Sequence, residues 1–320
     1  MARFILRRVV LALATAAGIA ILSFLALYAR PGEAVRVQAN SQGIYDEQGH
    51  ARVQESLGLD RPLPEQLLRW LYGLAHGDLG ESWSRPGSSV LDVLMENLPL
   101  TLALTGGGLL LQVFLGVAIA AASVRKRGSW QDVTLTTASM SLYAIPEFCV
   151  GLLLLWPLSV KLGWFPLSGA ANEPWLETGL LERLHHLFLP ALCLGLGSAA
   201  VVSRLLKVRW EEEMESRYVV AARARGISGG RILWGHTLKS AAGPLCTAIG
   251  LSLPGLIGGA VIVEEVFNWP GLGRVMIQAV GERDLPLLAG VNVLLATLVC
   301  LGGFLSDLLW TILDPRVDRS

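Results

Sequence analysis

The sequence predicts an all-α integral membrane protein with six transmembrane helices. Of the 320 residues, 52% are hydrophobic and only 16% are charged, whereas about 25% of the residues in soluble proteins are charged. The apolar residues lie in long blocks, and helices suit them because helices satisfy their own backbone polar groups in lipid. Each block has close to the roughly 20 residues that a bilayer-spanning helix needs: 9–29, 98–124, 133–160, 187–203, 244–263 and 285–313.

The balance of charge and the motifs exclude several classes of protein. The chain carries 26 basic and 26 acidic residues, so it has no basic excess of the kind that attracts nucleic acid. It contains neither a GxxxxGK(S/T) phosphate loop nor an HExxH zinc motif. We therefore expect no nucleic-acid partner, no catalytic residues, no metal and no cofactor in this chain. Four cysteines lie far apart without metal-ligand spacing: Cys149, Cys193, Cys246 and Cys300.

The distribution of basic residues predicts that both termini are cytoplasmic. Short, basic loops beside membrane spans stay inside the cell. The four segments on that side hold 16 of the 26 Lys and Arg residues: 1–8, 125–131, 204–243 and 314–320. The other three segments would lie outside: 30–97, 161–186 and 264–284.

The first apolar block has an alternative interpretation as a cleaved signal peptide, because Arg7 and Arg8 precede it. Its run of 21 residues is longer than a signal-peptide core, and no small-residue cleavage site follows it. We interpret it as a retained helix. In the external segment after it, residues 63–75 predict an amphipathic helix that would lie on a protein or membrane surface.

The segment 204–243 predicts a cytoplasmic helical hairpin. Helix formers fill residues 210–225, and a second, shorter helix covers 231–242. Glycine adopts the left-handed backbone that a sharp turn needs, and glycines separate the two helices: Gly226, Gly229 and Gly230. Small side chains before this turn would let another protein approach closely, as in a docking element: Ala221, Ala222 and Ala224.

This hairpin resembles the EAA loop of the permease subunits of ABC importers. The family pattern is Glu-Ala-Ala, three residues, Gly, nine residues and then Ile-x-Leu-Pro. Four residues fit it at the proper spacing: Ala221, Ala222, Gly226 and Leu238. Three positions depart from it: Val220 replaces the glutamate, His236 the isoleucine and Lys239 the proline. The string Ala-Arg-Ala-Arg-Gly followed by His-x-Leu-Lys is similar to the dipeptide, oligopeptide and nickel permease branch.

Other strings of that branch occur in the same order along the chain, so the resemblance covers essentially all of it. They begin with the pair Arg7-Arg8 and continue at 57–62, 77–80, 162–166, 266–274, 283–286 and 314–316. The resemblance implies the type I importer fold in a bacterial cytoplasmic (inner) membrane. It divides the chain into an N-terminal helix with a long extracytoplasmic segment, 1–97, and a core permease domain, 98–320. The core would hold five transmembrane helices and the EAA-like loop at 211–243.

The same resemblance implies the partners. These are a second homologous permease, two cytoplasmic ABC ATPases that bind ATP and Mg, and an extracytoplasmic solute-binding protein, all at a lipid bilayer. The EAA-like loop would couple this chain to an ATPase through eight residues: Ala221, Ala222, Arg223, Ala224, Arg225, Gly226, His236 and Leu238. The alternative for this segment is an ordinary cytoplasmic loop.

The expected cargo is a dipeptide or oligopeptide. Nickel, metal chelates, glutathione and antimicrobial peptides are alternatives, because specificity in the family lies largely in the binding protein. Two other classes compete with an importer subunit. A stand-alone secondary transporter predicts internal repeats and several acids within its spans, and a membrane-embedded enzyme needs a catalytic constellation.

Charged residues inside spans are candidates for function, because each costs at least about 2.5–3.5 kcal/mol near the bilayer centre. Glu147 would face the translocation pathway and meet the amino terminus of a peptide, while Pro146 kinks the helix. Alternatively, Glu147 hydrogen-bonds a neighbouring helix or the partner permease. We expect Asp307 to pair with an arginine near the inner surface and Asn292 to bond between helices.

Two further sets of residues lie in the predicted external segments. Glu264, Glu265 and Trp269 are expected in a turn that either docks the binding protein or is simply solvated. His185 and His186 are adjacent, so on a helix they point about 100° apart, and no third ligand stands nearby. We expect them to cap a helix or lie at an interface. Glycines in the apolar blocks are compatible with helix packing or with gating bends.

Overall fold

A computed structural model describes residues 2–28, 35–36, 39, 43–56, 60–167, 169, 179–241 and 243–313. Within these ranges the chain is helical apart from its connecting loops and one isolated β-bridge between Glu81 and Ser89. The first helices are α1 Ala2–Tyr28, α2 Glu47–Ser56, α3 Leu63–Ala75, α4 Val90–Arg125, α5 Trp130–Ala144 and α6 Glu147–Leu155, which continues as a π-helical turn Trp156–Lys161.

The remaining helices begin at Leu180 and include the predicted hairpin. They are α7 Leu180–Met214, α8 Arg217–Ala224, α9 at 229–241, α10 Gly243–Val266, α11 Leu272–Glu282 and α12 Leu285–Leu313. Helix α9 is composite, with a π-helical stretch Ile232–Thr237 between Gly229–Arg231 and Leu238–Ala241. The predicted second helix of the hairpin is thereby confirmed up to residue 241, since residue 242 lies outside the described ranges.

Among the residues that the structure describes, four helices are long and apolar enough to cross a membrane: α4, α7, α10 from Ala248 and α12 as far as Leu305. Helices α5 and α6 together make a fifth candidate span, which is bent by 106° at its break. The apolar stretch of α1, Leu13–Leu25, is shorter than a full span. The count of six spans therefore stays a prediction for the first block.

Pro146 breaks the predicted block 133–160 in two. Helix α5 ends at Ala144, and Ile145 is extended with φ −85° and ψ 131°. Proline has no N–H to donate and disfavours the helical backbone at the residue before it. The predicted kink at Pro146 is confirmed, and the 106° bend is that of a broken span or of a re-entrant loop.

Two predicted elements differ from the structure. The helix predicted at 210–225 is wrong at its start, because Trp210 belongs to the last turns of α7 and a new helix begins at Arg217. Glu215 and Ser216 form the break, and no Gly or Pro marks it, so helix propensity does not reveal it. The turn predicted at 264–273 is shorter in the structure, because Glu264 and Glu265 belong to the last turn of α10 and Leu272 begins α11. The amphipathic helix predicted at 63–75 is confirmed as α3.

The chain forms two compact units. The larger unit comprises Leu102–Trp269 and Leu301–Ser320, and the smaller unit comprises Ala2–Thr101 and Pro270–Cys300. The smaller unit groups residues 270–300 with the first hundred residues, whereas the predicted core 98–320 includes them; that domain division stays a prediction.

Helix α7 lies at the centre of the larger unit, where it packs against α5, α6 and α10. Small residues let α4 and α7 approach each other closely. A Cβ atom added at Gly195 would lie 2.5 Å from the carbonyl oxygen of Gly108, and one added at Gly108 would lie 2.9 Å from the Leu194 side chain. These two glycines therefore serve helix packing, as small residues commonly do between membrane helices.

A buried carboxylate joins two loops of the smaller unit. The Asp284 side chain is fully buried, and its Oδ2 accepts hydrogen bonds from the Ser84 backbone N–H at 2.9 Å, the Ser84 hydroxyl at 2.8 Å and the Ser82 hydroxyl. Its Oδ1 accepts from the backbone N–H of Leu287 at 3.0 Å, in the first turn of α12. Asp284 thus caps α12 and fixes the loop at 82–84.

The substitution Asp284→Asn tests these hydrogen bonds of the buried carboxylate. An amide nitrogen replaces one acceptor oxygen, so at least one buried donor loses its partner, and we expect the free energy of unfolding to fall by about 2 kcal/mol. Chemical unfolding of the purified chain, followed by tryptophan fluorescence, measures it. The matched control is Asp78→Asn, because Asp78 is exposed and its side chain accepts one bond, from the Gly80 N–H. An equal effect of the two substitutions on the free energy of unfolding would contradict a stabilising role of the Asp284 hydrogen bonds.

Candidate functional site

The hairpin formed by α8 and α9 is anchored to the end of α7 by a buried tryptophan. Trp210 is fully buried, and its Nε1–H donates to the Thr237 hydroxyl oxygen at 2.7 Å. The Thr237 hydroxyl lies 3.0 Å from the carbonyl oxygen of Leu233, inside the π-helical stretch of α9. Sequence reasoning missed this anchor, because Trp210 and Thr237 are 27 residues apart and form no recognisable motif.

The turn of the hairpin has the left-handed backbone that the sequence predicts at Gly226. Its φ is +76°, a value that most side chains disfavour. The Gly226 N–H donates to the carbonyl of Arg223 at 2.9 Å, and the Ile227 N–H donates to that of Ala222 at 3.2 Å. These bonds satisfy carbonyls at the end of α8, so Gly226 terminates this helix.

The alanines before the turn point to different sides of the hairpin. Ala222 is buried in an apolar cluster with Val219 and Ile232, so its side chain supports the hairpin itself. Ala221 and Ala224 are exposed. Val220, which stands where the EAA pattern has glutamate, is 60% exposed. The outward face of α8 therefore combines an apolar side chain with two small ones.

Arginines surround this face. Four of them are exposed and form no ion pair within the described ranges: Arg217, Arg223, Arg225 and Arg231.

The other side chains of the hairpin differ in their surroundings. Partial burial and a hydrogen bond to Glu213 raise the pKa of Tyr218, whose hydroxyl donates to the Glu213 carboxylate at 2.7 Å. Of the other predicted coupling residues, His236 is exposed and Leu238 packs beside Trp210.

An ion cluster lies where the α4–α5 turn meets the end of α7. Lys207 pairs with Asp132, in the first turn of α5, and lies 3.8 Å from Glu211. Arg127 contacts Glu211 at 3.3 Å and also pairs with Glu215. The cluster therefore ties this turn to the part of α7 that leads into the hairpin. The only sequence signal for it is the i, i+4 spacing of Lys207 and Glu211.

Glu147 lies at the break between α5 and α6, close to two other helices. Its backbone carbonyl accepts from the Cys193 thiol at 3.0 Å. Its carboxylate lies against Gly259 of α10, where an added Cβ would fall 2.0 Å from Oε2. Glu147 is half-buried, and its carboxylate has no hydrogen-bond or ion-pair partner in the described part of the chain. The alternative of a bond to a neighbouring helix of this chain is therefore not observed there.

The external candidates are separated by burial. Glu264 and Trp269 are fully buried, whereas Glu265 is exposed, so Glu265 alone of the three presents its side chain on the surface.

The two adjacent histidines each bind a backbone carbonyl: His185 Nε2 lies 2.7 Å from the Trp164 oxygen, and His186 Nδ1 lies 2.7 Å from the Gly169 oxygen. Both histidines thus hold the loop before α7.

One catalytic-looking string belongs to the hairpin turn. Residues 226–230 read Gly-Ile-Ser-Gly-Gly, the spacing of the nucleophile elbow in α/β-hydrolases, which requires a strand before the serine. Here Ser228 follows the end of α8 and directly precedes α9, with helices on both sides. Three predictions lie outside the described residues: the side chain of Asp307, the string 314–316 and the first half of the string 57–62.

Comparisons with known proteins identify the family of this chain. Residues 112–319 match the family described as binding-protein-dependent transport system inner membrane component, and residues 1–105 match its N-terminal counterpart. The oligopeptide transport system permease protein AppB of Bacillus subtilis is 34% identical over 99% of this chain and 100% of its own length. The di/tripeptide permease protein DppB of Pseudomonas aeruginosa is 36% identical over 99% of both chains.

A solved structure shares the fold. A chain of the methionine ABC transporter MetNI, in an inward-facing crystal form, superposes with a TM-score of 0.55 at 20% identity. The match covers 69% of this chain and 96% of that one. The helical architecture is therefore that of a type I ABC importer permease, and the chain belongs to the family of binding-protein-dependent transport system inner membrane components.

Proposed function

We propose that this chain is one of two permease subunits of an ABC importer for dipeptides or oligopeptides. The observation that carries the proposal is the outward face of the hairpin, with exposed Val220, Ala221 and Ala224 surrounded by arginines. Such a face fits a groove with an apolar floor and an acidic rim. The full-length relatives named as oligopeptide and di/tripeptide permeases support the cargo.

The proposed assembly contains two cytoplasmic ABC ATPases, which bind ATP and Mg, a second permease and an extracytoplasmic binding protein. Both termini and the hairpin lie in the cytoplasm, and the chain crosses the inner membrane six times. Residues 1–97 form the N-terminal helix and external segment, and residues 98–320 form the core. Closure of the ATPases moves the hairpin, and the helices packed on α7 then change which side of the membrane is open.

The external surface is proposed to receive the binding protein. Exposed Glu265 contributes to that contact, while buried Glu264 and Trp269 hold the turn in place. Copurification with the two ATPases and uptake of labelled dipeptide, compared with uptake of nickel, in a deletion strain test the assembly and the cargo. Nickel uptake without dipeptide uptake would overturn the peptide assignment.

The first prediction of the proposed function concerns the hairpin face. Ala221→Phe places a ring on the exposed face of α8, so we expect the membrane subunits to assemble normally while the ATPases dissociate. Uptake into proteoliposomes should fall at least about ten-fold, because a docking contact worth more than 1.4 kcal/mol is lost. Copurified ATPase and uptake are both measured.

Two matched variants sharpen this test. Ala51→Phe makes the same change at an exposed alanine of α2 and should leave uptake unchanged. Ala222→Phe overfills the buried cluster beneath α8 and should lower the stability of the hairpin itself. Gly226→Asp is less informative, because any side chain there is strained by the φ of +76°. Normal uptake and full ATPase recovery with Ala221→Phe would refute the docking surface.

The second prediction concerns Glu147. If its carboxylate binds the cationic amino terminus of a peptide, the complex should prefer a dipeptide with a free amino group over the same dipeptide acetylated. Glu147→Gln should reduce that preference about ten-fold, because a hydrogen bond to a charged group usually contributes at least that factor to binding. Transport of both peptides into proteoliposomes measures the ratio.

Gly259→Ala provides a second test of the same residue, because the added Cβ displaces the carboxylate without removing its charge. We expect a smaller loss of the same preference. The charge-matched control is Glu182→Gln, at an exposed position in the first turn of α7. An unchanged preference in both Glu147→Gln and Gly259→Ala would favour the alternative, in which Glu147 contacts the partner permease.

A further inference from the structure

We propose that a basic groove at the edge of the membrane binds the headgroup of an anionic phospholipid. The basic groove lies between the last turn of α4 and the first turns of α5, and its volume is about 730 Å³. Its lining includes the basic side chains of Arg125 and Lys126 and the apolar or aromatic side chains of Ala122, Trp130 and Leu135. The proposal depends on the membrane location of the family and not on the identity of the cargo.

Three consecutive basic residues at this turn have different surroundings. Arg127 contacts two glutamates of α7, so its charge is compensated inside the protein. Arg125 and Lys126 are exposed, line the groove and form no ion pair within the described ranges. Two adjacent, uncompensated cations repel each other unless an anion joins them. Phosphate oxygens are strong acceptors for both side chains.

The position of the groove favours a lipid as the source of that phosphate. Arg125 is the last residue of α4, whose apolar stretch is long enough to cross a membrane. Trp130 begins α5 and is 73% exposed, and tryptophan at the end of a span typically lies at headgroup depth. Basic pockets between membrane helices bind anionic headgroups for the same electrostatic reason.

The lining also distinguishes a lipid from a free anion and from a neutral lipid. Leu135 and Ala122 offer an apolar surface that an acyl chain covers and inorganic phosphate does not. The hydroxyl of Thr134 and the amide of Gln131 line the same groove and suit glycerol or ester oxygens. A zwitterionic headgroup carries its own cation, which would be repelled by Arg125 and Lys126. The chemistry therefore fits an anionic phospholipid.

The test uses the assembled complex in detergent and native mass spectrometry. Phosphatidylglycerol and phosphatidylcholine with the same acyl chains are titrated separately, and we expect a tight site for phosphatidylglycerol alone. Arg125→Gln and Lys126→Gln should each weaken it about five-fold and the double variant about 30-fold, since each basic side chain contributes about 1 kcal/mol. Phosphatidylcholine binding should not change.

Arg209→Gln is the matched control, because Arg209 is exposed, pairs with Glu212 of its own helix and does not line the groove. The affinity of this variant for phosphatidylglycerol should stay within about two-fold of the wild type. An equal loss in Arg209→Gln would show that only the net charge of the protein matters and would overturn the site. Thermal unfolding of each variant separates lost binding from lost folding.

Three further results would also overturn the proposal: equal affinity for both lipids, full displacement by inorganic phosphate at constant ionic strength, or disulfide crosslinking of the Trp130→Cys variant to another subunit. The last result would identify a protein as the occupant. Dipeptide uptake is measured in parallel. A double variant that loses lipid but still imports dipeptide leaves the proposed function intact, whereas a wild type that binds lipid without importing dipeptide refutes only that function.

Discussion

Lys207 and Asp132 form an ion pair where α7 approaches the edge of the apolar region, and their side chains are only 21% and 9% exposed. A charge that is largely removed from water needs a partner, because an unpaired one carries a large desolvation penalty. One turn further along α7, Trp210 anchors the hairpin, and Asp132 lies in the first turn of the helix that ends at the Pro146 break. The pair therefore holds the hairpin base and the broken span to the same part of α7.

This arrangement gives the proposed mechanism a physical route. A densely packed interior transmits displacement, because its side chains have no room to absorb it locally. In the proposed mechanism, movement of the hairpin would displace the end of α7, and the ion cluster would transmit that displacement to α5. The broken span is the element that responds most easily, since Pro146 has already interrupted its hydrogen-bond ladder. Glu147 stands at that break, beside α10.

The zero net charge of the chain conceals a strong asymmetry. On the proposed topology the cytoplasmic segments carry a net charge of +10 and the external segments −7, with the balance on Asp132, Glu147 and Asp307. The structure separates the basic side chains by their contacts. Arg127 and Lys207 bind acids of this chain, the hairpin arginines are exposed, and Arg125 and Lys126 line the basic groove.

The sequence by itself determined what depends on local chemistry. Apolar length predicted the candidate membrane spans, and amphipathic spacing predicted the helix at 63–75. The backbone preferences of Pro146 and Gly226 predicted the break between α5 and α6 and the turn of the hairpin. The tertiary structure decided which side chains meet across the chain. Asp284 binds a serine 202 residues away, Ala222 faces its own cluster, and Glu264 is buried. Such contacts depend on how distant helices pack, and no local pattern records that packing.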